Sequence, residues 1–381
     1  MKNVNFKFDF DDILIVPSKK THVTSRYKDI KLPTELPLFT APMDTVVDLG
    51  NIDVFMESNI NITLPRTVSY DKFIQFTETA YMNGEKVKDC YSKVFISFGF
   101  AELEKHYKTN FKELKNGLHI LIDVANGHMQ KIADYCREIK RLRPDIIIMV
   151  GNIANPETYW WYAENDCVDY IRIGIGNGNG CLTTKQSGIG HPMASLIHEV
   201  YEQKQKFIKY NTPDSKDPSQ ARVMPEEKRQ PVKHIPAIVA DGGMKDYSDI
   251  IKSLALGADY VMIGSIFNKA FESSAPNYLY GVKLKKKLAT YFFKRGFPVK
   301  KYFRGMSTKE AQKAMGKTKF KTSEGVTRIR KVEYFLTGWV ENFEHYLRNA
   351  MSYTNARTLD EFVGKTEICQ ISKNAYDRFN K

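Results

Sequence analysis

Cys181 stands near the end of the segment Gly174-Ile175-Gly176-Asn177-Gly178-Asn179-Gly180-Cys181-Leu182-Thr183-Thr184, in which every second residue from 174 to 180 is glycine. Glycine takes positive φ without strain and lets a backbone approach a ligand closely. A loop of this kind can wrap a small molecule and present the thiol and two hydroxyls to it. A thiol suits nucleophilic catalysis because its thiolate attacks electron-poor carbon and sulfur leaves again when the adduct collapses. The same residues are also compatible with a plain turn around a buried, inert cysteine.

A reactive loop needs a scaffold, and the chain has a rhythm that supplies one. Short apolar runs rich in branched residues recur at Leu38 to Ala41, Ile60 to Leu64, Val94 to Phe98, Leu118 to Asp123, Ile146 to Val150, Tyr170 to Ile173, Ala237 to Ala240 and Tyr260 to Ile263. Amphipathic segments of helical period lie between most of them, such as Met129 to Leu142 and Tyr247 to Leu256. Eight buried strands alternating with helices predict an α/β fold of the (β/α)8 TIM barrel type, in which the strands' carboxyl ends carry the active site. The residues following those runs are the ones to inspect. They are Pro42-Met43-Asp44, Pro65-Arg66, Asp123 to Gly127, Gly151-Asn152, the glycine loop, Asp241-Gly242-Gly243 and Gly264-Ser265.

Two stretches break the rhythm. Gln203 to Lys233 is polar and proline-bearing and reads as a mobile insertion before the seventh strand. Phe267 to Lys301 is aromatic and lysine-rich without clear period, suited to packing on a neighbouring subunit. Gly305 to Arg330 then reads as a loop over the barrel mouth, and Trp339 to Ala350 as a closing helix. All of this belongs to one domain, residues 1–381, with a flap and excursion over 267–330.

Composition narrows the classes. No run approaches the ~18 apolar residues of a membrane span, and Met1 to Lys7 lacks the apolar core of a signal peptide, so a cytoplasmic location is expected. The five cysteines (Cys90, Cys136, Cys167, Cys181 and Cys369) show no metal-type spacing and read as reduced thiols. The formal charge of +13 favours anionic, phosphate-bearing ligands. Without a nucleic-acid motif, its lysine-rich clusters read as a solvated face, and a nucleic-acid partner is not expected.

Taken with their order, the rim segments resemble the family of IMP dehydrogenases and GMP reductases. The resemblance is carried by Asp9 to Ile15, Ala41-Pro42-Met43-Asp44-Thr45-Val46, Asp123-Val124-Ala125-Asn126-Gly127, Gly151-Asn152-Ile153, Gly174-Ile175-Gly176, Ala240-Asp241-Gly242-Gly243, Gly257 to Gly264 and Arg304-Gly305-Met306-Ser307. It spans nearly the whole chain. It implies that Cys181 attacks C2 of a purine nucleotide and that a nicotinamide exchanges hydride with the same carbon. The dehydrogenase branch carries inserted regulatory domains and an Arg-Tyr pair in its flap. Neither is present here, since no Arg-Tyr pair occurs in residues 307–323.

Thr322-Ser323-Glu324-Gly325 is instead similar to the reductase word Ala-Ser-Glu-Gly, which pairs Glu324 with Thr183. The resemblance therefore implies NADPH-dependent conversion of GMP to IMP and ammonia, with Cys181, Thr183 and Glu324 as the catalytic group. For the substrate it implies Met43, Asn179, Asp241, Gly243, Gly264, Ser265, Gly305 and Met306. For NADPH it implies Asp123, Ser307, Lys321 and Ser323, and for a monovalent cation such as K+ the carbonyls of Gly176, Gly178 and Cys181. It also implies a homo-tetramer. The chain departs from the family at Asn177-Gly178-Asn179, where Pro-Gly-Ser is usual. It departs again at Leu182 and Thr184 after the cysteine, and at Arg66, where a lysine is usual. These departures leave a guanine deoxynucleotide or another modified purine nucleotide open as substrate. An IMP dehydrogenase-type oxidation and a weakly active nucleotide-binding homologue stay open beside the reductase reading.

Overall fold

The computed structural model describes residues 6–82, 94–109, 111, 118–178, 180–211, 234–316 and 325–379. Eight parallel strands form its centre: β1 (Leu38–Thr40), β2 (Ile62–Leu64), β3 (Val94–Phe98), β4 (His119–Asp123), β5 (Ile147–Ile153), β6 (Tyr170–Ile173), β7 (Ala237–Asp241) and β8 (Tyr260–Ile263). From β2 to β8 each strand pairs with its sequence neighbour, and β1 pairs with β8. Asn61 closes the ring between β1 and β2, its N–H donating to Leu38 O at 3.0 Å while its carbonyl accepts from Thr40 N at 2.9 Å. The sheet is a (β/α)8 barrel, and each expected strand is present to within a few residues at its ends.

Side-chain alternation divides the strands into an outer and an inner face. Outward residues such as Ile120, Ile148, Ile171 and Ile238 pack against the helices in one continuous core. The helix Gln130–Leu142 buries Ile132, Ala133, Cys136 and Ile139, the stripe that its helical period dictates. Inward residues Phe39, Phe95, Leu121, Met149, Val239 and Met262 plug the barrel, with Tyr170 and Tyr260 packed beneath. This plug forms a floor for the rim above it.

Two aspartates pin strand starts by the same device. Asp169 accepts from Ile148 N at 2.6 Å and pairs with Lys140 at 2.8 Å, while Asp259 accepts from Ile238 N at 2.6 Å and pairs with Lys204.

His119 sits among the inward residues with its ring 4.9 Å from that of Phe95, and its Nδ1 has no hydrogen-bond partner among the described residues. Burial pushes its pKa down to about 4. The unfolded chain therefore binds a proton between about pH 6.5 and pH 4 that the folded chain refuses, so stability falls as pH is lowered through that window. We expect His119→Phe to remove up to about 3 kcal/mol of this acid sensitivity, which urea titrations at pH 7 and pH 4.5 would show as a smaller difference between the two midpoints.

The segments outside the barrel rhythm are more regular than their composition suggests. The helix Met193–Asn211 runs through the first part of the expected insertion, and residues 212–233 lie outside the described set. The excursion is a hairpin, β9 (Asn277–Leu279) and β10 (Val282–Leu284), followed by the helix Lys286–Lys294 and β11 (Lys300–Arg304). The region after Gly305 is not a bare loop either. It contains the helix Lys309–Ala314 and returns as β12 (Thr327–Lys331). These strands form a second, antiparallel sheet in the order β10-β9-β11-β12. Short-range periodicity hid this because the pairing of β11 with β12 is set by a contact across the flap.

The buried face of that sheet is anchored by Lys301. Its ammonium donates to Phe271 O and Ser273 O, each at 2.6 Å, and to Ser273 Oγ at 2.9 Å. The closing helix runs Leu336–Tyr353, longer than its apolar stripe alone implied. No helix among the described residues is long and apolar enough to cross a membrane.

Candidate active site

The glycine loop leaves the end of β6 and is shaped by close contacts that only glycine permits. Gly176 has φ +85°, and a Cβ there would lie 1.7 Å from Thr184 Oγ1, whose hydroxyl donates to Ile189 O at 2.8 Å. Thr184 is thus a brace inside the loop. Gly176→Ala is expected to distort this turn, lowering activity more than tenfold while far-ultraviolet circular dichroism stays that of the wild type.

Beyond the brace, Cys181 N donates to Gly178 O at 2.9 Å, turning the half-buried thiol toward Thr183 at the start of the helix Thr183–Ser187. The thiol donates to Thr183 Oγ1 at 3.1 Å. Thiol and hydroxyl are therefore in direct hydrogen-bond contact.

The flap returns onto this loop. Gly305 N donates to Val326 O at 3.2 Å, Val326 N donates to Gly180 O at 3.1 Å, and Gly325 bridges Cys181 as an antiparallel partner. The approach is close enough that a Cβ on Gly305 would lie 2.8 Å from Gly180 O. Arg304 pairs with Asp44, tying the rim after β1 to the Gly305-Met306 turn.

These segments enclose a cavity of about 1100 Å³ over the barrel mouth. Its wall includes Met43, Asp123, Gly176, Gly178, Cys181, Thr183, Asp241, Gly243, Gly264, Ser265, Gly305, Met306 and Ser307. Every expected site residue within the described set is thereby brought to one cavity. Asn179, Lys321, Ser323 and Glu324 lie outside the described residues. Among the departures from the family pattern, Arg66 lines the same cavity and makes a two-pronged pair with Glu102 at 3.1 Å through each nitrogen. Asn177 donates from its side chain to His191 O at 3.0 Å.

The residue that sequence reasoning missed is Arg172. It lies on the inner face of β6, buried at the top of the barrel plug, between the carboxylates of Asp123 at 2.9 Å and Asp241 at 3.0 Å. Burial by itself favours loss of its proton, but the two carboxylates outweigh that and push its pKa up. Asn152 completes the group, donating to Asp241 Oδ2 at 2.9 Å and to Gly174 O at 2.6 Å. The signal was present as a charge inside the apolar run Tyr170-Ile171-Arg172-Ile173. A buried parallel strand carries such a charge only against a partner.

The fold and cavity define an α/β-barrel enzyme with a half-buried thiol on the loop after its sixth strand. The chain belongs to the IMP dehydrogenase / GMP reductase family, whose domain profile matches residues 7–213 and 218–378. It is an oxidoreductase of that family. It is 25% identical to a GMP reductase of Caenorhabditis elegans over 98% of this chain and 94% of the relative. It is 24% identical to GMP reductase 2 of Homo sapiens over 98% and 97%. An inosine-5'-monophosphate dehydrogenase of Chlorobaculum tepidum is 28% identical over 66% of this chain and 45% of its own length.

Proposed function

We propose that the protein catalyses the reductive deamination of a guanine nucleotide, GMP to IMP and ammonia, with NADPH as reductant. The observation that carries this reading is the contact of the Cys181 thiol with Thr183 Oγ1 at 3.1 Å, with Gly325 paired against Cys181 across the loop. In the sequence Glu324 directly precedes Gly325. Near-full-length similarity to proteins named GMP reductase supports the same choice.

In this reading Cys181 Sγ forms a bond to C2 of the guanine. Thr183 and Glu324 pass a proton to the exocyclic amine, the C2–N bond breaks, and ammonia departs. Protonation is needed because an amine leaves poorly as its anion, which is work for a general acid. NADPH, when bound, supplies the hydride that reduces C2. The C2–S bond then breaks and the thiol is regenerated as IMP is released.

Asp241 receives the ribose hydroxyls, Gly243, Gly264 and Ser265 hold the phosphate, and Met43, Gly305 and Met306 hold the base, with Asn179 at the phosphate. Asp123, Ser307, Ser323 and Lys321 hold the reductant, the last favouring the extra phosphate of NADPH. The cavity exceeds the roughly 300–1,000 Å³ of most small-molecule pockets, which suits a nucleotide and a nicotinamide together. A monovalent cation on the carbonyls of Gly176, Gly178 and Cys181, a homo-tetramer and a cytoplasmic location belong to the same proposal. The Gly178 carbonyl accepts from Cys181 N and keeps a second lone pair for such an ion.

The test is incubation with NADPH and a panel of ribo- and deoxyribo-guanine nucleotides, following the reduced-nicotinamide absorbance. Consumption with GMP and release of IMP are expected. Consumption only with a deoxynucleotide would move the substrate, and NADH production from IMP with NAD, without NADPH use, would make the enzyme a dehydrogenase.

A further inference from the structure

We propose that the exposed face of the antiparallel sheet β10-β9-β11-β12 binds single-stranded nucleic acid. Pairing registers place Lys283 opposite Tyr278, Tyr278 opposite Lys300, and Lys300 opposite Lys331, so these four residues form one row across the sheet. Directly opposed residues share a face, and Tyr302 and Ile329, two places along their strands, lie on it as well. The other face is the buried one, carrying Leu279, Lys301 and Phe303. Lys283, Lys300, Lys331, Tyr302 and Ile329 are all exposed, Ile329 at 62%.

Charge sets the sign of the partner. From Ser273 to Lys309 the sequence has no aspartate or glutamate, while Lys283, Lys285 to Lys287, Lys294, Arg295 and Lys300 crowd the same segment. Like charges directly opposed on neighbouring strands, as Lys300 and Lys331 are, disfavour the sheet. Lysines on edge strands guard against edge-to-edge pairing, which accounts for Lys283 and Lys331. It does not account for Lys300, which is on a central strand.

The aromatics select among polyanions. Tyr278 and Tyr302 stand on the two central strands with ring centroids 5.0 Å apart, inside the lysine row rather than away from it. Bases stack on exposed rings while lysines track the phosphates, the arrangement by which four-stranded sheets and open grooves hold single strands. Exposed rings set among lysines favour a polyanion with stackable bases over one that offers charge alone. The face is separate from the catalytic cavity, whose lining includes none of these residues.

Fluorescence anisotropy of the full chain with labelled 20-mers of oligo(U) RNA and oligo(dT) DNA tests the proposal and distinguishes the two sources. Binding is expected to weaken with salt. The Lys283→Gln/Lys300→Gln/Lys331→Gln variant should weaken it more than tenfold and reduce the log–log salt slope by about 2, at about 0.7 for each lost phosphate contact. Tyr302→Ala should weaken it roughly 5- to 150-fold, the range set by one base stack. Thermal unfolding checks that each variant remains folded, and excess IMP should not displace the oligonucleotide. No salt-dependent binding, equal binding by the folded variants, or displacement by IMP would overturn the proposal. So would selective binding of phosphatidylserine vesicles without oligonucleotide binding, or burial of this face in a second copy seen by sedimentation and cross-linking.

Discussion

Cys181→Ala is expected to lower turnover by at least about a thousandfold and to abolish any thiol-linked purine adduct in intact-protein mass spectrometry. The size follows from what a covalent step contributes, because without sulfur the C2–N bond must break by direct displacement at an aromatic carbon. Thr183→Val separates the roles. It keeps the thiol and the shape of the side chain but removes the hydroxyl that accepts from Cys181 at 3.1 Å. General acid assistance is worth about 10²–10⁴-fold, and adduct formation should survive in this variant while ammonia release falls by such a factor. Equal adduct formation by Cys181→Ala and wild type would remove Cys181 from the chemistry.

Arg172→Met is expected to be the most damaging substitution outside the loop. Arg172 neutralises two carboxylates at the barrel mouth, and among the described residues no other cation forms an ion pair with either of them. Removing one member of a buried charged group leaves the others uncompensated, at a cost of about 3–5 kcal/mol. Stability should fall by this order in urea titration.

Function should fall through the same atoms. Asp123 and Asp241 would repel one another and turn away from their present positions on the cavity wall, so KM for nucleotide and for nicotinamide should both rise. Arg172→Lys should recover charge but only part of the geometry, since an ammonium lacks the planar fork that reaches two carboxylates. Unchanged stability with unchanged KM values in Arg172→Met would show the bridge to be incidental.

Much of the barrel was legible in the chain. The strand runs are set by local apolar composition, and their alternation with helical period admits few architectures. Thus Val94 to Phe98, Tyr170 to Ile173 and Tyr260 to Ile263 coincide with strands β3, β6 and β8. Cys181 and Thr183 were legible too, because two residues of sequence separation on a tight turn keep side chains close whatever surrounds them. The excursion was not, since its sheet depends on β12 pairing with β11 across the flap, and no local pattern reports a partner that distant.

The sequence by itself determined a (β/α)8 barrel with its chemistry on the carboxyl rim and a thiol presented by the loop after β6. Those properties rest on composition, period and spacing, which are local. Only the tertiary structure decided that Arg172 joins Asp123 and Asp241, that Gly325 comes to lie against Cys181, and that three lysines and two tyrosines share one open face. Each of these joins residues distant in the chain, and their meeting is set by strand register and barrel closure. The glycine loop therefore carries the thiol, while the packing around it selects the groups that stand beside it.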